Sequence, residues 1–576
     1  MTRKELLTSA LAVAVGTATT KAEGAENSCS GNSLEATAPV PEGTVEIDLT
    51  GAVTVAELAA AERIAAIELT DEQRAGILPA VQGLTRSFET QRKSEVPYTV
   101  EPATHFVPLG GGTREKFQVR ASPGSAGPLK RGLLSEEQIA FLSVRELSHL
   151  VRSRQISPIE LTKIYLARLK RYGDKLLCVI TLTEELALHQ AERAEGEIAA
   201  GKYRGPLHGI PYGIKDLFAT RGIPTTWGAE PYVNQVFDYN AHVVDRLEAA
   251  GAILVAKLSM GALAMDDHWF RGKTKNPWNP TEGSSGSSAG SASATAAGLV
   301  GFSIGTETLG SITSPSHRCR VTGLRPTYGR VSRYGAMGLS YTMDKVGPIC
   351  REVEDCALVF AAICGEDAND PTSVNRSFHW KPRIDYRSLK IGYLVGPQAD
   401  LKDTSAMDKE PVVLQLRKRG ATVRPVKFTP GPQSLITILE VEAASAFDAL
   451  TRGGHLDTIS SSAWPASFRT HRFVPAVEYL QAHRMRALAM KRFEEELGDL
   501  DMFIAGGIGG YSLTLTNATG HPQVLIPNGV SDKGQNLSLS LVGRLYREDR
   551  LLAVAKTLQD ATPFSYKHQQ PDLSKL

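Results

Sequence analysis

Several features that mark common protein classes are rare or missing in this sequence. Only six of its 576 residues are cysteine, no two of them form a Cys-x-x-Cys pair, and no cluster has metal-ligand spacing. We therefore expect neither a metal site nor a disulfide framework. Cys350, Cys356 and Cys364 accompany a helical apolar pattern, which is typical of thiols packed in a core.

An excess of one charge is missing as well. The 64 basic and 62 acidic residues leave a net charge of +2 without a concentrated basic stripe, so we expect no binding of nucleic acid. The body of the chain also lacks any run of about 18 uncharged apolar residues, so no membrane-spanning helix is predicted there. The composition, 42% hydrophobic and 22% charged, is that of a globular protein, and the length allows several domains.

The N-terminus has a different pattern. Thr2-Arg3-Lys4 is basic, Leu6 to Ala18 is apolar and small, and polar residues follow from Thr19. This order resembles an export signal, so residues 1–25 are predicted to be a leader and the protein to be periplasmic or secreted. The alternative is a disordered or helical tail on a cytoplasmic protein, since the Ala-x-Ala cleavage consensus is poor.

Residues 26–132 are predicted to form a helical extension followed by a linker. Thr54 can cap a first helix, and Thr70, with Gln73 three residues later, can cap a second one. Apolar residues at helical spacing in the first helix are Leu58, Ala61 and Ile64. The helices can pack on the main body or act as an interaction arm. Residues 105–132 are rich in glycine and proline, which indicates a linker or a long surface loop.

Residues 133–568 show the alternation of an α/β body. Ser143–Glu146 and Ser157–Glu160 are capping boxes that predict two helices. The elements predicted after them are a strand at 209–214, a helix at 241–250, a strand at 252–256, a strand at 389–395, a helix around 412–416, a strand at 422–426, a helix at 475–497, and late strands at 500–505, 524–526 and 537–541. Strand, helix and strand in this rhythm predict layered α/β architecture with right-handed crossovers.

One stretch, residues 283–335, combines features of a reactive site. Gly283 to Ser291 places serine hydroxyls beside bare backbone, and Leu299 to Ile304 is predicted to be a short buried strand. The chain then turns through Gly305 to Gly310 onto Ser311. Because a loop of free N–H groups leads directly to a hydroxyl, this segment can hold both a nucleophile and an oxyanion hole.

This stretch resembles the signature sequence of the amidase signature family, serine amidohydrolases that use a Ser–Ser–Lys triad. Matched residue by residue, Lys215 corresponds to the base, Ser287 to the bridging serine and Ser311 to the nucleophile. The similarity covers roughly residues 140–565. It implies a three-layer α/β/α fold with a large mixed, twisted sheet, and a cis peptide bond at the bridging serine.

The resemblance also implies a mechanism, namely hydrolysis of a carboxamide C–N bond through an acyl-enzyme. Neutral Lys215 would accept a proton from Ser287, which takes one from Ser311 as that oxygen attacks. Burial on an apolar strand would keep the lysine uncharged. The implied oxyanion hole consists of the N–H groups of Thr308, Leu309, Gly310 and Ser311. The resemblance implies no metal and no organic cofactor. The expected partner is a small-molecule amide, and the oligomeric state stays open, with a homodimer as one option.

Three positions depart from the commoner family pattern. Glu307 replaces an aspartate, Leu309 a glycine, and Thr313 the arginine that often follows the nucleophile by two residues. A leucine at positive φ would cost energy, so Leu309 affects the geometry of the turn. The acid–arginine pairing of the family cannot form with Thr313.

Other interpretations remain beside this one. Gly286 to Gly290 fits the G-x-S-x-G nucleophile elbow, but that motif needs a preceding strand, and residues 277–282 are predicted to be a proline-broken loop. A glutamine-hydrolysing A-type subunit of a tRNA-dependent amidotransferase is a related alternative, and a non-catalytic binding protein on an amidase scaffold comes from another class. No role is assigned to His317, His521 or Trp269, and Asn517 is interpreted as structural.

Overall fold

The computed structural model describes most of the chain. The described residues are 53–65, 67–94, 104, 118–121, 123–124, 129–459, 463–562 and 564–576. The predicted leader at 1–25 and most of the linker predicted at 105–132 lie outside them, so both remain predictions.

Helices and strands alternate along the described ranges. The α-helices are α1 (Val55–Ala65), α2 (Asp71–Arg92), α3 (Glu136–Ala140), α4 (Val144–Arg152), α5 (Pro158–Leu176), α6 (Glu184–Ala199), α7 (His242–Ala249), α8 (Ala289–Ala296), α9 (Thr313–Arg318), α10 (Val353–Ile363), α11 (Pro411–Lys418), α12 (Ser434–Ala446), α13 (Asp448–Arg452), α14 (Trp464–His471), α15 (Ala476–Leu497), α16 (Leu513–Ala518) and α17 (Glu548–Gln559). The strands are β1 (Val119–Arg120), β2 (Val179–Leu182), β3 (Pro211–Lys215), β4 (Ile253–Leu258), β5 (His268–Trp269), β6 (Gly272–Lys273), β7 (Lys275–Asn276), β8 (Asn279–Gly283), β9 (Phe302–Glu307), β10 (Thr322–Arg325), β11 (Lys345–Cys350), β12 (Phe378–His379), β13 (Lys390–Leu394), β14 (Thr422–Val426), β15 (Met502–Gly506), β16 (Gln523–Val530) and β17 (Asn536–Gly543).

Eleven of these strands form one mixed sheet. Their order is β14-β13-β15-β17-β16-β10-β11-β9-β3-β4-β2. Parallel pairs join β14, β13 and β15 near one edge and β9, β3 and β4 near the other, while the strands between them are antiparallel. The sheet is therefore large and mixed, as predicted.

The middle of the sheet is covered on both faces. Every residue of β3, β4, β9, β10 and β11 is buried, and side chains alternate between the two faces of a strand, so both faces carry a helical layer. Among these helices, α8 contacts β3, β4, β9 and β11, whereas α10 contacts β10 and β11. The edge strands β2 and β14 are partly exposed. This arrangement gives the three layers that the sequence predicted.

The predicted strand–helix–strand units are present. β3 and β4 pair in parallel around α7, and β13 and β14 pair in parallel around α11. Their observed bounds lie within a few residues of the predicted ones. Local apolar periodicity was sufficient here because each element is short, has buried apolar residues and is bounded by a turn.

The strand predicted at Leu299 to Ile304 is displaced. β9 runs instead from Phe302 to Glu307. The reason is the end of α8: Gly298 adopts φ +63°, and the Leu299 N–H donates to the Ala294 carbonyl at 2.9 Å. This left-handed cap places the first apolar residues in the helix terminus rather than in the sheet.

One of the two predicted capping boxes forms only in part. Ser143 and Glu146 make both reciprocal bonds, whereas Ser157 accepts from the Glu160 N–H without a return bond. The Glu160 carboxylate pairs instead with Arg131 at 2.9 Å. A distant arginine has thus replaced the local partner.

The N-terminal extension packs on the body. Helices α1 and α2 share a small apolar core of Leu58, Leu69, Ile77 and Val81, against which Phe473 packs. Thr70 and Gln73 form the predicted capping box, and α2 contacts both α14 and α15. Of the two interpretations of the extension, the structure supports docking.

The cysteines and the helices agree with the expectations from composition. Cys350, Cys356 and Cys364 are buried free thiols, as are Cys178 and Cys319. Within the described ranges no helix combines the length and the apolarity that a membrane crossing requires.

Truncating Ile77 to alanine should loosen the docked extension. The side chain is 2% exposed, and removing a buried isoleucine to its Cβ costs about 2–5 kcal/mol. Limited proteolysis should then cleave within 53–94 faster than in the wild type. Ile64→Ala is the matched control, since Ile64 is 90% exposed. Equal cleavage rates in the two variants would contradict the docking.

Candidate active site

The site begins at the end of β3, where Lys215 is fully buried. Its Nζ donates to Ser287 Oγ and to Thr306 Oγ1, each at 2.8 Å. Burial lowers the pKa of Lys215 to about 7, against the opposing pull of the Asp344 and Glu307 carboxylates. A substantial fraction of this amine is therefore uncharged near neutral pH, and an uncharged amine can accept a proton.

Ser287 lies in the loop between β8 and α8. The peptide bond between Gly286 and Ser287 is cis, as the resemblance implied. The serine is 1% exposed, and the next residue fixes the loop, because Ser288 Oγ donates to the Thr306 carbonyl at 3.1 Å and accepts from its N–H. The Ser287 hydroxyl is thereby held against the lysine amine.

Ser311 lies beside the same loop. Its carbonyl accepts a hydrogen bond from the Ser288 N–H at 3.1 Å, so the segment after β9 touches the segment that carries Ser287. Ser311 is 9% exposed, whereas Ser287 and Lys215 are almost fully enclosed. The structure thus brings together the three segments that were predicted to hold the triad.

The turn before Ser311 has the geometry of a donor loop. The left-handed conformation falls on Gly310, at φ +88°, and not on Leu309. The leucine is therefore tolerated without backbone strain. In the described part of the chain, the N–H groups of Leu309, Gly310 and Ser311 donate to no other protein group. They remain available to a ligand oxygen.

The turn is supported by an ion pair that the sequence analysis missed. Glu307 lies 2.8 Å from Arg325 of β10, and both side chains are fully buried. Asn517 Nδ2 donates to the same carboxylate at 3.0 Å. Although burial raises the pKa of Glu307, the charge of Arg325 prevails and lowers it to about 2. An acid–arginine pair does form here, with an arginine from another strand in place of one at position 313.

A cavity of about 310 Å³ opens beside the site. Its lining includes Thr306, which accepts from Lys215, and Asp344, which accepts from Thr308 Oγ1 at 2.6 Å. Other lining residues are Arg333, Tyr334, Met337 and Tyr341. Both tyrosines are more than one third exposed, so this cavity communicates with solvent.

The nucleophile-elbow alternative fails for a reason other than the predicted one. A strand, β8, does precede the motif, which corrects the prediction of a loop at residues 277–282. Thr281 and Glu282 of β8 are exposed, and the strand pairs with β7, outside the main sheet. Ser288, the serine of that motif, is buried and bonded to Thr306 backbone, so its hydroxyl faces no substrate.

The residues to which the sequence analysis assigned no role make structural contacts. His317 Nδ1 lies 2.6 Å from Ser538 Oγ, His521 is buried between Thr519 and Glu494, and the Trp269 indole donates to the Leu177 carbonyl. A cluster that the sequence analysis did not identify is Asp266, Asp267 and His268, whose ligand atoms lie within 4.8 Å of one another.

Comparison with known proteins identifies the family. The family model described as Amidase matches residues 160–505, more than half of the chain. The chain belongs to the amidase family. It is 32% identical over 484 residues to the A-type subunit of the glutamyl-tRNA(Gln) amidotransferase of Cyanothece sp., covering 74% of this chain and 99% of that protein. The corresponding protein of Methylococcus capsulatus is also 32% identical, over 476 residues, covering 73% and 97%.

Comparison with solved structures supports the same family assignment. The peptide amidase from Stenotrophomonas maltophilia superposes with a TM-score of 0.66 at 27% identity, covering 75% of this chain and 98% of that one. An amidase family protein from Bacillus anthracis gives a TM-score of 0.65 at 26% identity, covering 76% and 93%. The predicted amidase-signature α/β fold is confirmed, and this amidase is an enzyme that hydrolyses carbon–nitrogen bonds.

Substituting Gly286 by alanine should disable the amidase. A Cβ at this position would overlap the Asp266 carbonyl oxygen, which is backbone and cannot move aside easily. Misplacing a catalytic group by about 1 Å costs about 10²-fold in rate, so turnover of an amide should fall at least that far. Gly506→Ala is the control, because nothing lies within 4 Å of its Cβ. Wild-type turnover in Gly286→Ala would show that the loop is not needed.

Proposed function

We propose that this amidase uses Ser311 as nucleophile, Ser287 as proton bridge and Lys215 as base. The observation that carries the proposal is a fully buried amine 2.8 Å from the Ser287 hydroxyl, with a pKa brought to about 7. A general base is most effective when its pKa is near the working pH.

The reaction follows from this arrangement. Ser311 Oγ forms a bond to the amide carbon while its proton passes to Ser287, whose own proton passes to Lys215. The carbonyl electrons collect on oxygen, where the N–H groups of Leu309, Gly310 and Ser311, with that of Thr308, stabilise the charge. Return of the proton through Ser287 to the nitrogen breaks the C–N bond. Water then releases the acyl group by the same relay.

The substrate is proposed to be a small-molecule amide that enters through the cavity beside Thr306. Its volume of about 310 Å³ is at the lower end of small-ligand sites. Tyr334, Met337 and Tyr341 offer apolar surface, which favours an apolar group next to the scissile amide. Assaying a library of amides that differ in this group tests the proposal, and a preference for acidic amides would contradict it.

A second candidate is the A-type subunit of a tRNA-dependent amidotransferase, because the relatives named above carry that name at 32% identity over nearly their full length. The docked helices at 53–94 precede the family match at 160–505 and distinguish this chain from a minimal amidase domain. Glutaminase activity that appears only when bacterial partner subunits are added would favour this second candidate. Turnover of other amides by the isolated chain would favour the amidase.

We further propose that residues 1–25 direct export to the periplasm or outside the cell, with a cytoplasmic enzyme as the alternative. The support is the basic start followed by the apolar run Leu6 to Ala18. Fractionating cells that express the full chain and a 2–25 deletion tests this, and identical distribution of the two proteins would refute export.

Replacing Lys215 by alanine should lower kcat by about 10²–10⁴-fold. In the wild type, kcat/KM should rise as the pH increases through about 7, because the protonated lysine cannot accept a proton. A pH–rate profile from about pH 5 to 9 brackets that pKa and measures both effects. A full rate in Lys215→Ala would remove the lysine from the mechanism.

Labelling with a serine-directed fluorophosphonate distinguishes a serine hydrolase from a non-catalytic binding protein on the same scaffold. The wild type should be labelled, and Ser311→Ala should not be. Ser314→Ala is the control, since Ser314 lies one turn further on in α9 and bonds Ser285. Labelling that persists in Ser311→Ala would place the nucleophile elsewhere.

A further inference from the structure

The turn behind Ser311 is anchored by a single carboxylate. Glu307 Oε2 accepts hydrogen bonds from the N–H groups of Ile312 at 3.0 Å and Thr313 at 2.9 Å. Ile312 directly follows Ser311, so these bonds fix where the chain leaves the turn. A displacement of Glu307 would move the backbone donors next to it.

Arg325 holds this carboxylate from a different strand. It lies on β10, which is separated from β9 by β11 in the sheet. Its guanidinium bonds Glu307 Oε1 at 2.8 Å, the His521 carbonyl at 3.0 and 3.2 Å, and Thr516 Oγ1 at 3.1 Å. Since all of its nitrogens are engaged and the side chain is fully buried, the cation has a fixed position.

The charges around Lys215 depend on this pair. Two carboxylates act on the lysine, Asp344 beside β11 and Glu307 on β9. Asp344 accepts from Thr308 Oγ1 and from two backbone N–H groups, so hydrogen bonds rather than a cation satisfy it. Asp216, the neighbour of Lys215 on the chain, points away and pairs with Lys257 at 2.9 Å.

A second basic side chain beside this carboxylate is that of Lys345, which lies opposite Glu307 in the β11–β9 register. Burial lowers its pKa well below the usual range, and the charge of Arg325 lowers it further. Its Nζ donates to the carbonyls of Met343 and Asn517. Because the Lys345 amine bonds these two carbonyls, Arg325 is the cation that pairs directly with the Glu307 carboxylate.

We propose that Arg325 is a positioning residue with two effects: it holds the Glu307 carboxylate that anchors the nucleophile turn, and it cancels the charge that would otherwise keep Lys215 protonated. This inference rests on the proposed function. Between buried side chains such an interaction is only weakly screened, so the balance of Glu307 and Arg325 affects the lysine.

The test uses the pH profile of kcat/KM, and in particular its acid limb, the range in which kcat/KM rises with pH as Lys215 loses its proton. The position of this limb is compared in the wild type, in Glu307→Gln and in a double variant. Glu307→Gln removes the anion but leaves the Arg325 charge, which disfavours a second cation, so the limb should move to lower pH than in the wild type. Glu307→Gln combined with Arg325→Met removes both charges, and the limb should return toward the wild-type position. An unchanged limb in all three proteins would overturn the proposal.

A second comparison keeps Glu307 and varies Arg325, and it applies if Glu307→Gln does not fold. Arg325→Met and Arg325→Lys are made in a Lys345→Met background, so that Lys345 cannot replace the guanidinium. The limb of the Met variant should lie at higher pH than that of the Lys variant, since only the former leaves Glu307 uncompensated. Coincident limbs would overturn the proposal.

The positioning effect has its own readout. Arg325→Met should lower kcat by about 10²-fold, the typical loss when an oxyanion donor is removed, with KM changed less. Arg325→Lys should recover part of this loss, since the lysine restores the charge without the paired geometry. A loss of the same size in both variants would contradict the charge effect.

Arg330→Met is the matched control for stability. Arg330 and Glu548 form another fully buried pair, at 3.5 Å, that does not contact the nucleophile turn. This variant should be less stable, with the acid limb unchanged. If Lys215→Ala leaves the wild-type limb in place, the proposed function fails. If Lys215→Ala removes the limb and the Glu307 and Arg325 variants do not move it, only this inference fails.

Discussion

A lysine amine held out of water beside a serine hydroxyl is the constraint on which the rest of this structure depends. Burial alone lowers the pKa of Lys215, but the fold also places the carboxylates of Glu307 and Asp344 near enough to raise it. The pKa of the amine stays near 7 because each carboxylate has other partners. Asp344 accepts hydrogen bonds, and Glu307 pairs with Arg325. The site is therefore a balance of charges rather than an isolated hydrophobic pocket.

The sheet order explains why these groups meet. β3 and β9 are parallel neighbours, so Lys215 and the turn after Glu307 emerge at the same edge. β11 is antiparallel to β9, which brings its first residue, Lys345, and the preceding Asp344 to that edge as well. Ligand sites in open α/β sheets lie outside the carboxyl ends of parallel strands, and the full burial of these strands supplies the low dielectric that the lysine requires.

Local patterns predicted the elements that depend on local forces. β3, α7 and β4 were identified because their apolar runs and turn residues are contiguous, and Ser143 caps its helix with a partner three residues away. The failures involve partners distant in sequence. Glu160 pairs with Arg131 rather than with its own cap, and the start of β9 was displaced by the end of α8. The positions of the proposed triad followed from family resemblance, which carries information that periodicity does not.

Arg325 shows most clearly what such patterns cannot supply. The expectation that the family's acid–arginine pairing cannot form considered only position 313, where a threonine stands. The turn, however, requires a buried cation within reach of the carboxylate, whatever strand that cation comes from.

An arginine on β10 meets this requirement because its long side chain spans the width of the intervening β11. The same reasoning applies to Leu309, since the turn needs one residue in the left-handed conformation and Gly310 already provides it. Departures from a motif thus leave the local geometry intact when the physical condition behind the motif is met by another residue.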